Sequence, residues 1–152
     1  NRGLALEVLN AIPDKFCEFN GIYGYTQQAG PLYDIQLYET FDKLAEFIEE
    51  KTLQEKYINL ATEAQWEADN VNFLQYAYNG LFLKQPEYSI EKILKLPKSK
   101  RESAITFLFD GPHPSKKLLQ EKEKTKVCSL NKEFCSLLNQ VEKKLLKLEH
   151  DH

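Results

Sequence analysis

The 152-residue sequence has no methionine, one tryptophan, two arginines and only six glycines. Each scarcity narrows the field. Few glycines leave few loops in which backbone can wrap a phosphate, and neither G-x-x-x-x-G-K-[ST] nor G-x-G-x-x-G occurs. H-E-x-x-H and G-x-S-x-G are missing as well, so no motif announces a zinc protease or a nucleophile elbow. No apolar run approaches the roughly 18 residues that a membrane helix needs. The longest such run towards the end, "AITFLF", is the size of a core segment. The opening "NRGLALEVLNAIPDKF" lacks the apolar block of a signal peptide. It also lacks an initiating Met, which leaves open a longer parent chain or a leader already removed.

Cysteine is sparse too. Cys17, Cys128 and Cys135 are an odd number, which cannot close completely into internal disulfides, and no C-x-x-C pair offers a zinc framework. The expectation is a reduced, cytoplasmic protein whose thiols behave as small apolar core groups. Nothing calls for a cofactor.

What the sequence does have is an uneven charge. Residues 1–90 hold 14 Asp/Glu against 6 Lys/Arg, and residues 91–152 hold 9 against 14, within a net charge of −3. The expectation is one domain, 1–152, with an acidic stretch over residues 1–90 and a basic helical stretch over residues 91–152. Such a division suits two binding faces of opposite sign, or two halves that attract each other.

Apolar periodicity gives a mainly helical reading: an α+β domain of about five to six helices with a small N-terminal antiparallel β-hairpin, the alternative being all-α. Leu4, Leu6, Val8, Leu9 and Ile12 suit a short helix stopped before Pro13. Residues 19–38 hold the hairpin, because Tyr33, Ile35 and Leu37 alternate with Asp34 and Gln36 around the breakers of "QQAGP". Thr40 caps a helix reaching about Lys51. From Gln54 to Asn79 the spacing Tyr57, Leu60, Ala61, Ala64, Ala68, Val71, Leu74, Tyr78 predicts one six-turn helix stopped by Gly80. A short helix around Ile90–Leu94 ends at Pro97. Ser99 and Glu102 form a capping-box pattern for a helix to Gly111, a run β-branched enough to be a strand instead. Ser115 starts a polar helix to about Lys126, and Ser129 one to about Leu148.

Five groups of residues are candidates for function. Asp42, Glu46 and Glu50 at i, i+4 and i+8 make one acidic column; like charges there cost roughly 0.2–0.5 kcal/mol per pair, so a cationic visitor is a reason to keep them. Glu63 and Glu67 form a second acidic pair, and neither acidic helix has the Glu-x-x-His that a di-metal carboxylate site uses. Tyr38 and Trp66 are candidate anchors, since such rings bury much area at little entropic cost. Trp66 and Phe73 fall off the stripe of their helix, which implies burial on two sides or a covering partner.

The bend "FLFDGPHPSKK" places Asp110 and His113 together as an acid–base candidate. In an extended run rising about 3.1 Å per residue, however, their origins stand roughly 9 Å apart. A Gly that stops a helix and a Pro that prevents its resumption suit a plain connection between helices. His150 and His152 in the tail carry no assigned role. The Lys-rich last third, with Lys92, Lys95, Lys98, Lys100, Arg101, Lys116, Lys117, Lys122, Lys124 and Lys126, could meet phosphates. It has no Phe or Tyr between Ser115 and Glu133 on which bases would stack.

The leading reading is therefore an intracellular protein-binding module. In its concrete form, an inhibitor or immunity-type protein uses Tyr38, Asp42, Glu46, Glu50, Glu63, Trp66 and Glu67 to cover the basic site of a nuclease or toxin. The alternatives are a nucleic-acid-associated protein using the lysine-rich third, and a small enzyme centred on Asp110 and His113.

Overall fold

The computed structural model describes residues 1–35 and 37–150, and all regular elements among them are helical. Nine α-helices follow one another over these residues: α1 (Arg2–Ala11), α2 (Phe16–Tyr23), α3 (Leu37–Phe47), α4 (Glu50–Ala61), α5 (Asn70–Lys84), α6 (Pro86–Lys95), α7 (Lys98–Phe109), α8 (Glu121–Leu130) and α9 (Lys132–His150). A 3₁₀ turn at Pro114–Lys116 lies between α7 and α8. The fold is all-α rather than α+β. Gln36 and His152, named above for the hairpin and the tail, lie outside the described residues, as does Asp151.

The expected hairpin is replaced by helix α2, a compact loop and the start of α3. Phe16, Phe19, Asn20 and Tyr23 recur at three and four and are all buried, so a helical period was present where only the later alternation was read. Of the alternating residues, Leu37 is buried in α3 whereas Ile35 is exposed. An isolated bridge joins Tyr25 to Ala29. One side chain holds the loop at three points. Buried Asn70 donates from Nδ2 to the carbonyls of Tyr23 (2.8 Å) and Tyr33 (3.0 Å), and its Oδ1 accepts from the Leu37 N–H (3.2 Å). Gly30 lets the loop pass the end of α2: a Cβ there would sit 2.3 Å from the Ile22 carbonyl oxygen.

The expected long helix over 54–79 is two helices. Helix α4 ends at Ala61, and the Thr62 hydroxyl donates to the Asn59 carbonyl (2.8 Å). The chain crosses over through Trp66 and turns at Asp69, whose φ of 61° is rare for a residue with a Cβ. Asp69 accepts from the Tyr33 hydroxyl (2.5 Å), which ties the turn to the loop. Gly80 does not stop α5, which continues to Lys84.

Prolines start helices here. Pro86 opens α6 at its first position, where a missing N–H costs nothing, and Pro97 precedes α7. The Ser99–Glu102 box does not form. The observed capping box joins Gln120 and Glu123 at the start of α8, and Asn131 Oδ1 caps α9 through the Phe134 N–H (2.9 Å).

Helix α5 is central, packing on α2, α3, α4, α6 and α7. Its Tyr78 and Phe82, both fully buried, stack on Phe107 and Phe134 at ring distances of 6.3 and 5.8 Å. The buried side chains form one cluster running from Ala5 to Leu145. Among the described residues no helix is long and apolar enough to cross a membrane.

The cysteines depart from the reduced expectation. Cys128 and Cys135 are joined in a disulfide that ties the last turn of α8 to the first turn of α9, and Cys17 is free and exposed. The short connection at Asn131 brings the two helix ends together.

Candidate functional site, a groove between α3 and α5

Helices α3 and α5 pack on each other and, with the start of α4, border an opening along α5. The opening is a groove of about 520 Å³, within the range of small-ligand sites. Helix α3 contributes Tyr38, Phe41, Asp42 and Ala45; α5 contributes Asn72, Phe73, Tyr76, Ala77, Gly80, Leu81 and Lys84; α4 supplies Glu50, Leu53 and Tyr57. The side chains on α3 recur every three or four residues, which puts Tyr38, Asp42 and Ala45 along one edge. Ala45, Ala77 and Gly80 keep the walls low.

Five aromatic rings line it. Tyr38 meets Phe73 across the two helices at 5.3 Å, and Phe41 meets Tyr57 edge-on at 5.5 Å. Tyr76 is 82% exposed and projects beside the opening. Tyr38 donates its hydroxyl to Glu39 (3.1 Å), and that bond and charge push its pKa up. Tyr57 is buried; desolvation first, and then the nearby Asp42 charge, raise its pKa. Its hydroxyl has no hydrogen-bond partner among the described residues.

Charge is arranged unequally around the rim. At one end Glu50 pairs with Lys84. Asp42 is exposed, has no ion pair or hydrogen bond among the described residues, and lines the same opening as the rings. A carboxylate beside aromatic faces is what a cation with an apolar stem recognises, through direct charge and through the ring quadrupoles.

The structure thus brings three of the expected residues, Tyr38, Asp42 and Glu50, to one opening. It does not keep the acidic column. Helix α3 ends at Phe47 and Glu50 begins α4, so only Asp42 and Glu46 share a helix. Glu46 is exposed and does not line the groove. Glu63, Trp66 and Glu67 sit in the crossing after α4, outside the groove. Glu63 pairs with Lys100 of α7 (3.9 Å), and Glu67 accepts from Asn20 Nδ2 (3.1 Å). Trp66 is half-buried, and its indole N–H donates to Asn72 (3.1 Å).

Asp110 and His113 are not joined. Asp110 accepts from the backbone N–H groups of Trp66 and Gly111, each at 2.9 Å, while His113 lies 3.7 Å from Glu149. The bend is instead a docking point for the end of α7. The last carbonyls of a helix lack partners within it, and α5 provides them. Gln75 donates to the Phe107 (2.6 Å) and Asp110 (2.8 Å) carbonyls, and Asn79 donates to Leu108 (3.2 Å).

Half of the ten cations named in the lysine-rich third pair with carboxylates of the fold. Lys92 pairs with Glu55, Lys95 with Glu91, Lys100 with Glu63, Arg101 with Glu133 and Lys124 with Glu142. Two of these bonds cross between the acidic and basic stretches, so the halves do attract each other in places. Among the described residues no cluster of three or more His, Cys, Asp or Glu side chains could hold a metal ion.

Of the five rings, Phe41, Tyr57, Phe73 and Tyr76 were not nominated by sequence reasoning. Phe73 carried a signal, since it stood off its stripe. Tyr57 read as core, which it also is. Tyr76 carried none, because the groove exists only once α3 and α5 are placed together. No family model, no curated protein and no solved structure matches the chain.

Proposed function

We propose that the chain is a protein-binding domain whose α3–α5 groove takes a cationic, apolar-stemmed segment of a basic partner. The observation that carries this reading is the Asp42 carboxylate, without an ion pair among the described residues, at the mouth of a groove lined by five aromatic rings. A lysine or arginine stem would lie on Phe41, Phe73 and Ala77, with its charged head at Asp42. In its inhibitor form, the reading has Asp42 and Glu46 meet basic residues that otherwise hold substrate phosphates.

The other two readings find less support. An acid–base pair is weakened by the separate partners of Asp110 and His113, and a phosphate-binding face by the ion pairs of the rear lysines. The Cys128–Cys135 bond favours a compartment that tolerates disulfides over the reducing cytoplasm.

Capture from native extract tests the reading, using three baits: the wild type, Asp42→Lys and Ala45→Trp. A basic protein held by the wild type and lost from both variants is the expected result. A partner that is acidic, or that all three baits retain, contradicts it.

A further inference from the structure

On the other side of the Tyr76 ridge, α5 borders a second cleft of about 360 Å³, and we propose that this cleft binds a carboxylate group through Lys117. Asn72, Gln75, Tyr76, Asn79, Leu108 and Lys117 line it. The cleft shares the wall of Asn72, Tyr76 and Gly80 with the groove, but Lys117, Gln75 and Leu108 line the cleft alone, and the proposal does not depend on the reading of the groove.

The ammonium of Lys117 is held in place and left short of negative charge. Its Nζ donates to Gln75 Oε1 (2.7 Å) and to the Asp110 carbonyl (2.9 Å), and it lies 5.2 Å from the centre of the Trp66 ring. An ammonium has three N–H donors, so one remains. No carboxylate pairs with it among the described residues. The adjacent Asp110 carboxylate is turned to the Trp66 and Gly111 N–H groups. Burial pulls the lysine pKa down, opposed by Asp110. That is the sign of a charge whose lost hydration is not fully replaced.

The bend after α7 is shaped around this amine. Gly111 has a φ of 147°, and a Cβ on it would lie 2.7 Å from Lys117 Nζ. Gln75, which orients the amine from one side, is itself fixed by two backbone carbonyls. Asn72 adds a second donor. Its Oδ1 accepts from the Trp66 indole, which leaves its Nδ2 hydrogens without a protein acceptor among the described residues. One cation and one amide donor match the two oxygens and single charge of a carboxylate. A phosphate dianion would ask for more positive charge than the lining of this cleft holds. Leu83 and Tyr76, both exposed, offer apolar surface to whatever carries the carboxylate, which is either a free small acid or the C-terminus of a peptide.

Trp66 is the only tryptophan and touches the amine, so its emission reports on the site. Benzoate is the probe, and benzamide is its neutral counterpart. Benzoate should change the emission saturably, with a dissociation constant of about 1–10 mM, and benzamide should not. Lys117→Met should abolish the response, whereas Lys116→Met should leave it intact. Short peptides with free and amidated C-termini separate the two sources: a response at least tenfold tighter to the free peptide than to benzoate assigns the site to a chain terminus, and one no tighter assigns it to small acids. If Lys117→Met does not fold, the Cε resonance of Lys117 in the wild type supplies the readout, shifting with benzoate and not with benzamide. Equal responses to both probes, no saturation, or an unchanged response in a folded Lys117→Met variant would overturn the proposal.

Discussion

Replacing Asn70 with alanine removes the side chain that takes the place of the expected hairpin. Asn70 is 2% exposed and makes three bonds to backbone, two from Nδ2 and one to Oδ1. The substitution leaves the Tyr23 and Tyr33 carbonyls and the Leu37 N–H without this partner. A buried polar group stripped of its partner costs about 1–3 kcal/mol. Tyr33 is only half-buried, and water can reach its carbonyl more easily. The sum comes to about 4 kcal/mol, a large share of the 5–15 kcal/mol by which domains are ordinarily stable. At about 2–4 °C per kcal/mol for a chain of this length, the midpoint should fall by roughly 8–16 °C. Urea unfolding followed by circular dichroism gives the free energy directly. Asn79→Ala is the internal control: it removes one 3.2 Å bond to Leu108 from a half-buried position and should cost about 1 kcal/mol. If the Asn70 variant is no less stable than the Asn79 variant, the loop is held by something else and the reasoning is wrong.

Three further predictions rest on other elements. Gly80→Ala should stabilise the protein by about 0.5–1 kcal/mol in thermal unfolding, because α5 is helical there and nothing lies within 4 Å of the added Cβ; a loss of stability would mean that the helix stops at Gly80. Reducing the Cys128–Cys135 bond, which spans a sequence separation of 7, should cost about 2.5 kcal/mol by the loop-entropy relation. Denaturant midpoints with and without reductant measure this, and thiol titration should find one reactive cysteine before reduction and three after. Finally, the Glu149 carboxyl is held below its ordinary value of 4.5, first by the Ser115 N–H. Glu55 is lowered in the same direction, first by Lys92. A depressed carboxylate contributes its stability in full above the ordinary value and loses it as pH falls through the lowered one. Unfolding between pH 5 and 2 should therefore be shallower in Glu149→Gln than in the wild type; identical profiles would contradict the contact.

The sequence was most readable where one helix has one apolar stripe. The α9 residues Phe134, Leu138, Val141 and Leu145 were legible for that reason, and so was α1 with its stop before Pro13. It was least readable where a side chain reaches far along the chain. Asn70 and Gln75 look like ordinary polar helix residues, yet each is buried because it satisfies backbone groups 32 to 47 residues away. The break at 62–69 was hidden for a related reason. Apolar spacing continues through Ala64, and what ends the helix is the Thr62 hydroxyl together with the Asp69 turn held by Tyr33. Helix α2 was missed because the tyrosines and breakers after it carried a period-two pattern. Of the site, Tyr38 and Asp42 were legible as an aromatic and a carboxylate, but Tyr38 was read as the end of the hairpin, and only α3 puts the two four residues apart on one helix. The groove between them and Phe73 was not, since it depends on how α3 leans against α5.

Nuclear magnetic resonance of the ring protons of Phe41, Tyr57 and Phe73 tests the groove most directly, with n-butylammonium and n-butanol as matched probes. The account predicts saturable shifts with the ammonium, much weaker ones with the alcohol, and about a fivefold loss of affinity in Asp42→Asn. Equal shifts from both probes, or an affinity unmoved by Asp42→Asn, would contradict the claim that this groove selects a cation.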